Sequence, residues 1–204
     1  MLELDHIAVL GGTLEAAADH CAQALGVPMG PGGVHTRFAT HNRLLGLGQG
    51  HYLEAIAVDP KAAPPPDARW FGLDRFNGQP RLDKWICRVA DIEAAVARFP
   101  EAGRVVHLSR GDLRWSMAVP LDGMLPFDGL FPALIQWHVP KPPGASLPGD
   151  GRRLTRLVVQ HPRAIDLLSR LGDAVPGAPV QIEPGPVPKL TAHIATADGD
   201  KVLE

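Results

Sequence analysis

The chain has 204 residues, 45% of them apolar, and its 20 lysines and arginines nearly balance 22 aspartates and glutamates for a formal charge of −2. That length supports one large domain or two small ones with a proper core, and the composition excludes a disordered chain. The basic residues are scattered, Arg152 and Arg153 being the only tight pair, which excludes a nucleic-acid stripe.

At the N-terminus, Glu3, Asp5 and His6 interrupt any apolar run, so no secretory leader is expected. No apolar stretch approaches the ~20 residues of a membrane helix, so no membrane partner is expected either. Cys21 falls in a helical pattern and Cys87 in a strand pattern. Their spacing fits neither a metal knuckle nor a disulfide framework, and buried reduced thiols are expected. A cytoplasmic location fits these features.

The first element is the strand-like LDHIAVL at 4–10, followed by a helix in which Leu14, Ala17, Ala18, Cys21 and Leu25 recur at helical spacing. Thr13 is its N-cap and Gly26 its stop. Short strands are expected near 33–40 and 43–47, then a turn at 48–50 and a closing strand, HYLEAIAVD, at 51–59. A Pro-rich connector over 60–81 forbids a central strand. The order then repeats: LDKWICRV at 82–89, a helix striped by Ile92, Ala95, Val96 and Phe99, strands near 104–109 and 113–119, and FPALIQWHV at 131–139. A shorter third copy starts at LTRLVVQH (154–161), continues through a helix at about 162–172 and ends on PVQIEP and KLTAHIATAD. The sequence thus predicts an α+β fold: tandem βαβββ modules at 1–59 and 82–139, and a partial βαββ module within 141–204 packed on them.

Tandem βαβββ units with a histidine in the first strand and a glutamate in the last resemble the vicinal oxygen chelate superfamily of glyoxalases, extradiol dioxygenases and resistance proteins. The stretch GGVHTRFATHNRLLGLGQGHYLEAIAVD (32–59) and the later LFPALIQW (130–137) are similar to its glyoxalase-like domain branch. The resemblance covers residues 1–140 and implies paired sheets forming an open cup that holds a divalent metal (Zn, Mn, Fe or Ni). A homodimer follows by analogy alone. Because this fold hosts many reactions, chemistry has to come from the site.

Strand alternation sends Ile7 and Val9 to the helix side and His6 to the cup, where Glu54 joins it. These two match the family's ligand positions. Two readings stand open, a shared metal or a hydrogen-bonded polar pair without one. In the second module the matching positions carry Lys84 and Gln136, so the metal set is incomplete: an ammonium repels a divalent ion. Lys84 and Arg88 instead suggest an anion-holding wall. The resemblance places His35 and Asn42 in the cup lining. Trp115 is expected as an apolar wall, and Trp137 in the core on the side of Ile135.

The chain therefore reads as a glyoxalase-like enzyme or ligand-binding protein whose partner is a small carbonyl- or carboxylate-bearing metabolite. In the enzyme reading His6 or Glu54 is the general acid/base, and Lys84 or Arg88 steadies negative charge. The alternatives are non-catalytic sequestration, as in the resistance proteins, or a divalent-metal-dependent lyase, isomerase or dioxygenase of the same superfamily.

Overall fold

The computed structural model describes all residues 1–204. The first module is β1 (Glu3–Leu10), α1 (Leu14–Leu25), β2 (Gly32–His35), β3 (Thr40–Gly46) and β4 (Tyr52–Val58). The second is β5 (Arg81–Arg88), α2 (Ile92–Arg98), β6 (Arg104–Arg110), β7 (Leu113–Val119) and β8 (Ala133–Trp137). Between them the connector forms only a single 3-10 turn, Trp70–Gly72. After a one-turn helix α3 (Pro143–Ser146) come β9 (Arg153–His161), α4 (Ala164–Leu171), β10 (Val180–Pro184), β11 (Lys189–Thr196) and β12 (Gly199–Leu203).

Local chemistry sets these boundaries. Thr13 Oγ1 accepts the Ala16 N–H at 3.1 Å and starts α1. Gly26, at φ 73°, stops it by returning its N–H to the Ala22 carbonyl. Asp91 caps α2 in the same way through the Ala94 N–H. The final strand β12 goes beyond the expected βαββ segment. Its signal was Asp198-Gly199, a hairpin dipeptide that lets the chain double back between Thr196 and Gly199.

Both modules share one eight-stranded sheet, ordered β2-β3-β4-β1-β5-β8-β7-β6, curved into a cup whose edge strands β2 and β6 approach each other. In each module the first strand pairs parallel with the last, β1 with β4 and β5 with β8. The two modules meet where β1 runs antiparallel to β5. The C-terminal sheet is ordered differently, β10-β9-β11-β12, with β9 between a parallel and an antiparallel neighbour. Its Leu154, Leu157, Leu190 and Ile194 belong to the same continuous apolar core as Ile7 and Val9. Burying such side chains contributes roughly 1.5–3 kcal/mol each before entropy is charged.

The β1/β5 pairing carries two bulges. Leu4 faces Cys87 and His6 faces Ile86, so Asp5 is left over; Ala8 faces Lys84 and Val9 faces Leu82, so Asp83 is left over. The aspartate of each LD repeat is thus the unpaired residue, and each bulge turns that carboxylate towards the basic residue beside it.

Candidate active site in the cup

The polar floor of the cup comes from the first module. His6 on β1, Asn42 on β3, Glu54 on β4 and His35 at the end of β2 are all buried. His6 Nδ1 lies 2.7 Å from Asp5 Oδ1, and its Nε2 lies 3.6 Å from Glu54 Oε2. The second separation is that of an ion pair, longer than a hydrogen bond. Asn42 Nδ2 donates to the other glutamate oxygen at 2.6 Å. Trp137 Nε1 donates to Asp5 Oδ2 at 3.1 Å, and the Tyr52 ring stacks on His6 at 4.3 Å.

Arg110, at the end of β6 on the opposite edge of the sheet, closes this network. Its Nη1 donates to Asn42 Oδ1 and to His35 Nε2, both at 3.2 Å. That donation makes Nε2 the acceptor, so the His35 proton sits on Nδ1 and goes to Thr40 Oγ1 at 3.1 Å. Gly33 gives its N–H to Asn42 Oδ1 at 2.8 Å. A Cβ on the preceding Gly32 would lie 1.9 Å from the Asn42 carbonyl, so the glycine pair lets β2 pass this close. One chain of contacts therefore crosses the cup from Arg110 through Asn42, Glu54, His6 and Asp5 to Trp137.

The walls are apolar. Trp70 and Phe71 come from the connector, Trp115 and Met117 from β7, and Ile135 and Trp137 from β8. They leave a half-open space of about 30 Å³, room for one or two waters. Asp67 ties the connector to both modules through ion pairs with Arg37 and Arg104, and the Gly72 N–H bonds the Gly123 carbonyl at 2.8 Å.

Two histidines in this cup titrate in opposite directions. Burial alone would lower the His6 pKa, but the hydrogen bonds and charges of Asp5 and Glu54 overcome it and raise it to about 9. His35 is lowered to about 4, first by burial and then by the Arg110 charge, with Glu54 opposing. At neutral pH His6 is an imidazolium and His35 a neutral ring. Burial would push Glu54 up, yet His6, His35 and Asn42 together hold it below the usual carboxylate value.

His6, Glu54, His35, Asn42 and Trp115 are thus gathered in one cavity. Lys84, Arg88 and Gln136 are not. Lys84 is buried against Asp83 and seats over Gly129, where a Cβ would lie 2.7 Å from Nζ. Arg88 reaches outward to Glu3 at 2.9 Å. Gln136 caps α2, accepting the Ile92 N–H at 3.1 Å and donating to the Ala90 carbonyl at 2.7 Å. In β8 it is Ile135 and Trp137 that enter the cup, so the expected parity of that strand is inverted by one residue. The cation that reaches this cavity is Arg110, which the sequence reading did not single out.

A divalent metal requires several donors converging on one point. Asp5 and Glu54 flank the His6 ring at opposite nitrogens, and no three His, Cys, Asp or Glu side chains are placed to hold one ion together. The Arg110 guanidinium on Asn42 adds positive charge beside the remaining oxygens. This donor set does not fit a divalent metal.

The profile of the glyoxalase-like domain family matches residues 4–175. No curated protein sequence matches the chain. Among solved structures, the chain is similar to methylmalonyl-CoA epimerase from Mycobacterium tuberculosis, at 19% identity and a TM-score of 0.42 over 66% of this chain and 86% of that one. It is also similar to Streptomyces coelicolor methylmalonyl-CoA epimerase in complex with 2-nitronate-propionyl-CoA, at 17% identity and a TM-score of 0.45 over 68% and 100% of the two chains. A third likeness is to a variant of 4-hydroxymandelate synthase from Streptomyces coelicolor, at 19% identity and a TM-score of 0.43 over 71% of this chain and 51% of that one. No helix of the chain is long and apolar enough to cross a membrane.

Proposed function

The chain belongs to the glyoxalase-like domain family, and from that premise we propose that it is an enzyme moving a proton on a small carbonyl-bearing metabolite held in the cup. One observation carries the reading. A buried histidine is set between two carboxylates, 2.7 Å from one and 3.6 Å from the other, inside a largely apolar cavity. Asp5 holds Nδ1 and fixes the ring, leaving the Nε2 proton directed at the looser partner. A carbonyl oxygen placed between His6 and Glu54 takes that proton as a hydrogen bond. Glu54, released from its ion pair, becomes the stronger base.

The step then balances. Glu54 takes a proton from the carbon next to the carbonyl, the C–H electron pair becomes the enolate double bond, and His6 Nε2–H stabilises the enolate oxygen. The proton returns from Glu54 to carbon. Asn42, at 2.6 Å, holds the glutamate in place, and the tryptophan walls keep water away.

Deuterium wash-in tests this. In D2O the wild-type protein should accelerate exchange of the C3 protons of 2-oxobutyrate or pyruvate, read by proton NMR, and Glu54→Gln should remove the acceleration. Exchange that persists undiminished in Glu54→Gln sinks the reading. Sequestration without chemistry is the second reading, favoured by polar groups that already satisfy one another. Saturable binding with no wash-in would select it.

A further inference from the structure

One donor of the cup is left over. Trp70 lines the cavity, is 3% exposed, and its Nε1 has no hydrogen-bond partner. A buried indole N–H without an acceptor is costly, so such groups are normally partnered. The other two tryptophans of the walls differ: Trp137 donates to Asp5, and Trp115 Nε1, also without a protein partner, is not fully buried. Trp70 is also firmly placed, stacked on Phe38 at 4.4 Å and edge-on to His35 at 4.9 Å.

The same His35 accepts from Arg110 Nη1 at 3.2 Å, so the Trp70 ring and the guanidinium both contact one imidazole. Arg110 spends only Nη1 on the protein, on His35 and Asn42, and its Nη2 and Nε form no bond to it. A planar anion with two oxygens matches this pair of donors. Arg110 and Glu54 are separated by a single carboxamide, that of Asn42, which bonds both. An anion at Arg110 and a reacting carbon at Glu54 would therefore fit within one short molecule, with a carbonyl carbon between them.

We propose that Trp70 and Arg110 form a carboxylate seat, and that the ligand class of the cup is the short 2-oxo acids. The inference rests on the acid–base reading for the position of the carbonyl and adds the group that recognises the substrate. The carboxylate accepts from Trp70 Nε1 and from the free edge of Arg110, while the adjacent carbonyl points to His6. Trp70 sits on the connector, so a residue outside both modules carries a recognition group.

Indole NMR on the intact chain tests it. The protein has four tryptophans, hence four indole N–H signals, and Trp70→Phe identifies that of Trp70 by its disappearance. Titration with pyruvate and 2-oxobutyrate should move the Trp70 signal downfield and saturably. The Trp85 signal, whose N–H is bonded to the Leu130 carbonyl at 2.8 Å, should stay put and report an intact fold. Trp70→Phe should weaken binding roughly 10- to 100-fold, the loss of one hydrogen bond to a charged group. An unmoved Trp70 signal, equal affinity in Trp70→Phe with the Trp85 signal retained, or no binding of either acid overturns the seat. A moved Trp70 signal without deuterium wash-in would overturn the acid–base chemistry and leave the seat standing. Wash-in with Trp70 unmoved would do the reverse.

Discussion

LDHI and LDKW enter the central sheet side by side, each with its aspartate expelled as a bulge beside a basic residue. From there the two halves of the cup diverge. In the first module the basic residue is a ring with two nitrogens, so it can hold Asp5 on one side and face Glu54 on the other. In the second it is a lysine, which folds back onto its own aspartate and buries its amine over Gly129. The closing strands diverge likewise: β4 offers Glu54 to the cup, whereas β8 offers Ile135 and Trp137 and uses Gln136 to cap a helix. A repeated fold therefore carries polar chemistry on one half and an apolar wall on the other. The polar contributions that cross from the second module are Arg110, on Asn42 and His35, and the Trp137 N–H, on Asp5.

Substitutions should break this asymmetry unequally. The largest effect belongs to Glu54→Gln, expected to slow C3 exchange of a 2-oxo acid by about 10²- to 10⁴-fold while thermal unfolding still reports a folded protein.

The next largest is a pH effect on stability, with two arms. His6, at about 9 in the fold against 6.5, contributes stability that is complete below pH 6.5 and lost as pH rises through 9. His35, at about 4 against 6.5, stays neutral in the fold, so stability falls as pH drops from 6.5 towards 4. Glu54, held low, adds to that acid arm below its usual value. Each histidine arm is worth on the order of 3 kcal/mol. Unfolding midpoints should therefore peak near pH 6.5, and His6→Gln should flatten the alkaline side while also weakening the Glu54 part of the acid arm. A midpoint independent of pH between 6.5 and 9 contradicts the His6 assignment.

Arg110→Gln comes third, with a roughly 10- to 100-fold loss of carboxylate affinity measured by calorimetry. The smallest effect is that of Lys84→Met. Binding of 2-oxo acids should be unchanged, and stability should move by only about 1 kcal/mol, because Asp83 keeps its Arg81 partner at 2.8 Å. A clear loss of ligand affinity in Lys84→Met would mean that the second module does share the chemistry.

Much of the scaffold was legible because local signals agree with it: the repeated LD strands, the helical stripe of α1 with Thr13 and Gly26 at its ends, and alternation that sends His6 and Glu54 to one side. The errors have physical causes. In β8 a one-residue slip exchanged Gln136 for Trp137, because a strand's period of two leaves no intermediate error. Asp5 escaped because alternation points it away from the cup, and only a bulge brings it back; its echo in Asp83 was the available clue. Trp70 lies in a Pro-rich connector with no periodicity to read, and Arg110 reaches His35 across 75 residues of sequence. Contacts made by closing a sheet on itself are not written in any local window.

If proton transfer belongs to the first module alone, deuterium wash-in at C3 of 2-oxobutyrate should separate wild type, Glu54→Gln and Lys84→Met under one set of conditions. Exchange is expected in the wild type, is lost in Glu54→Gln and is retained in Lys84→Met. Exchange retained in Glu54→Gln, or lost in Lys84→Met with the fold intact, would contradict that assignment.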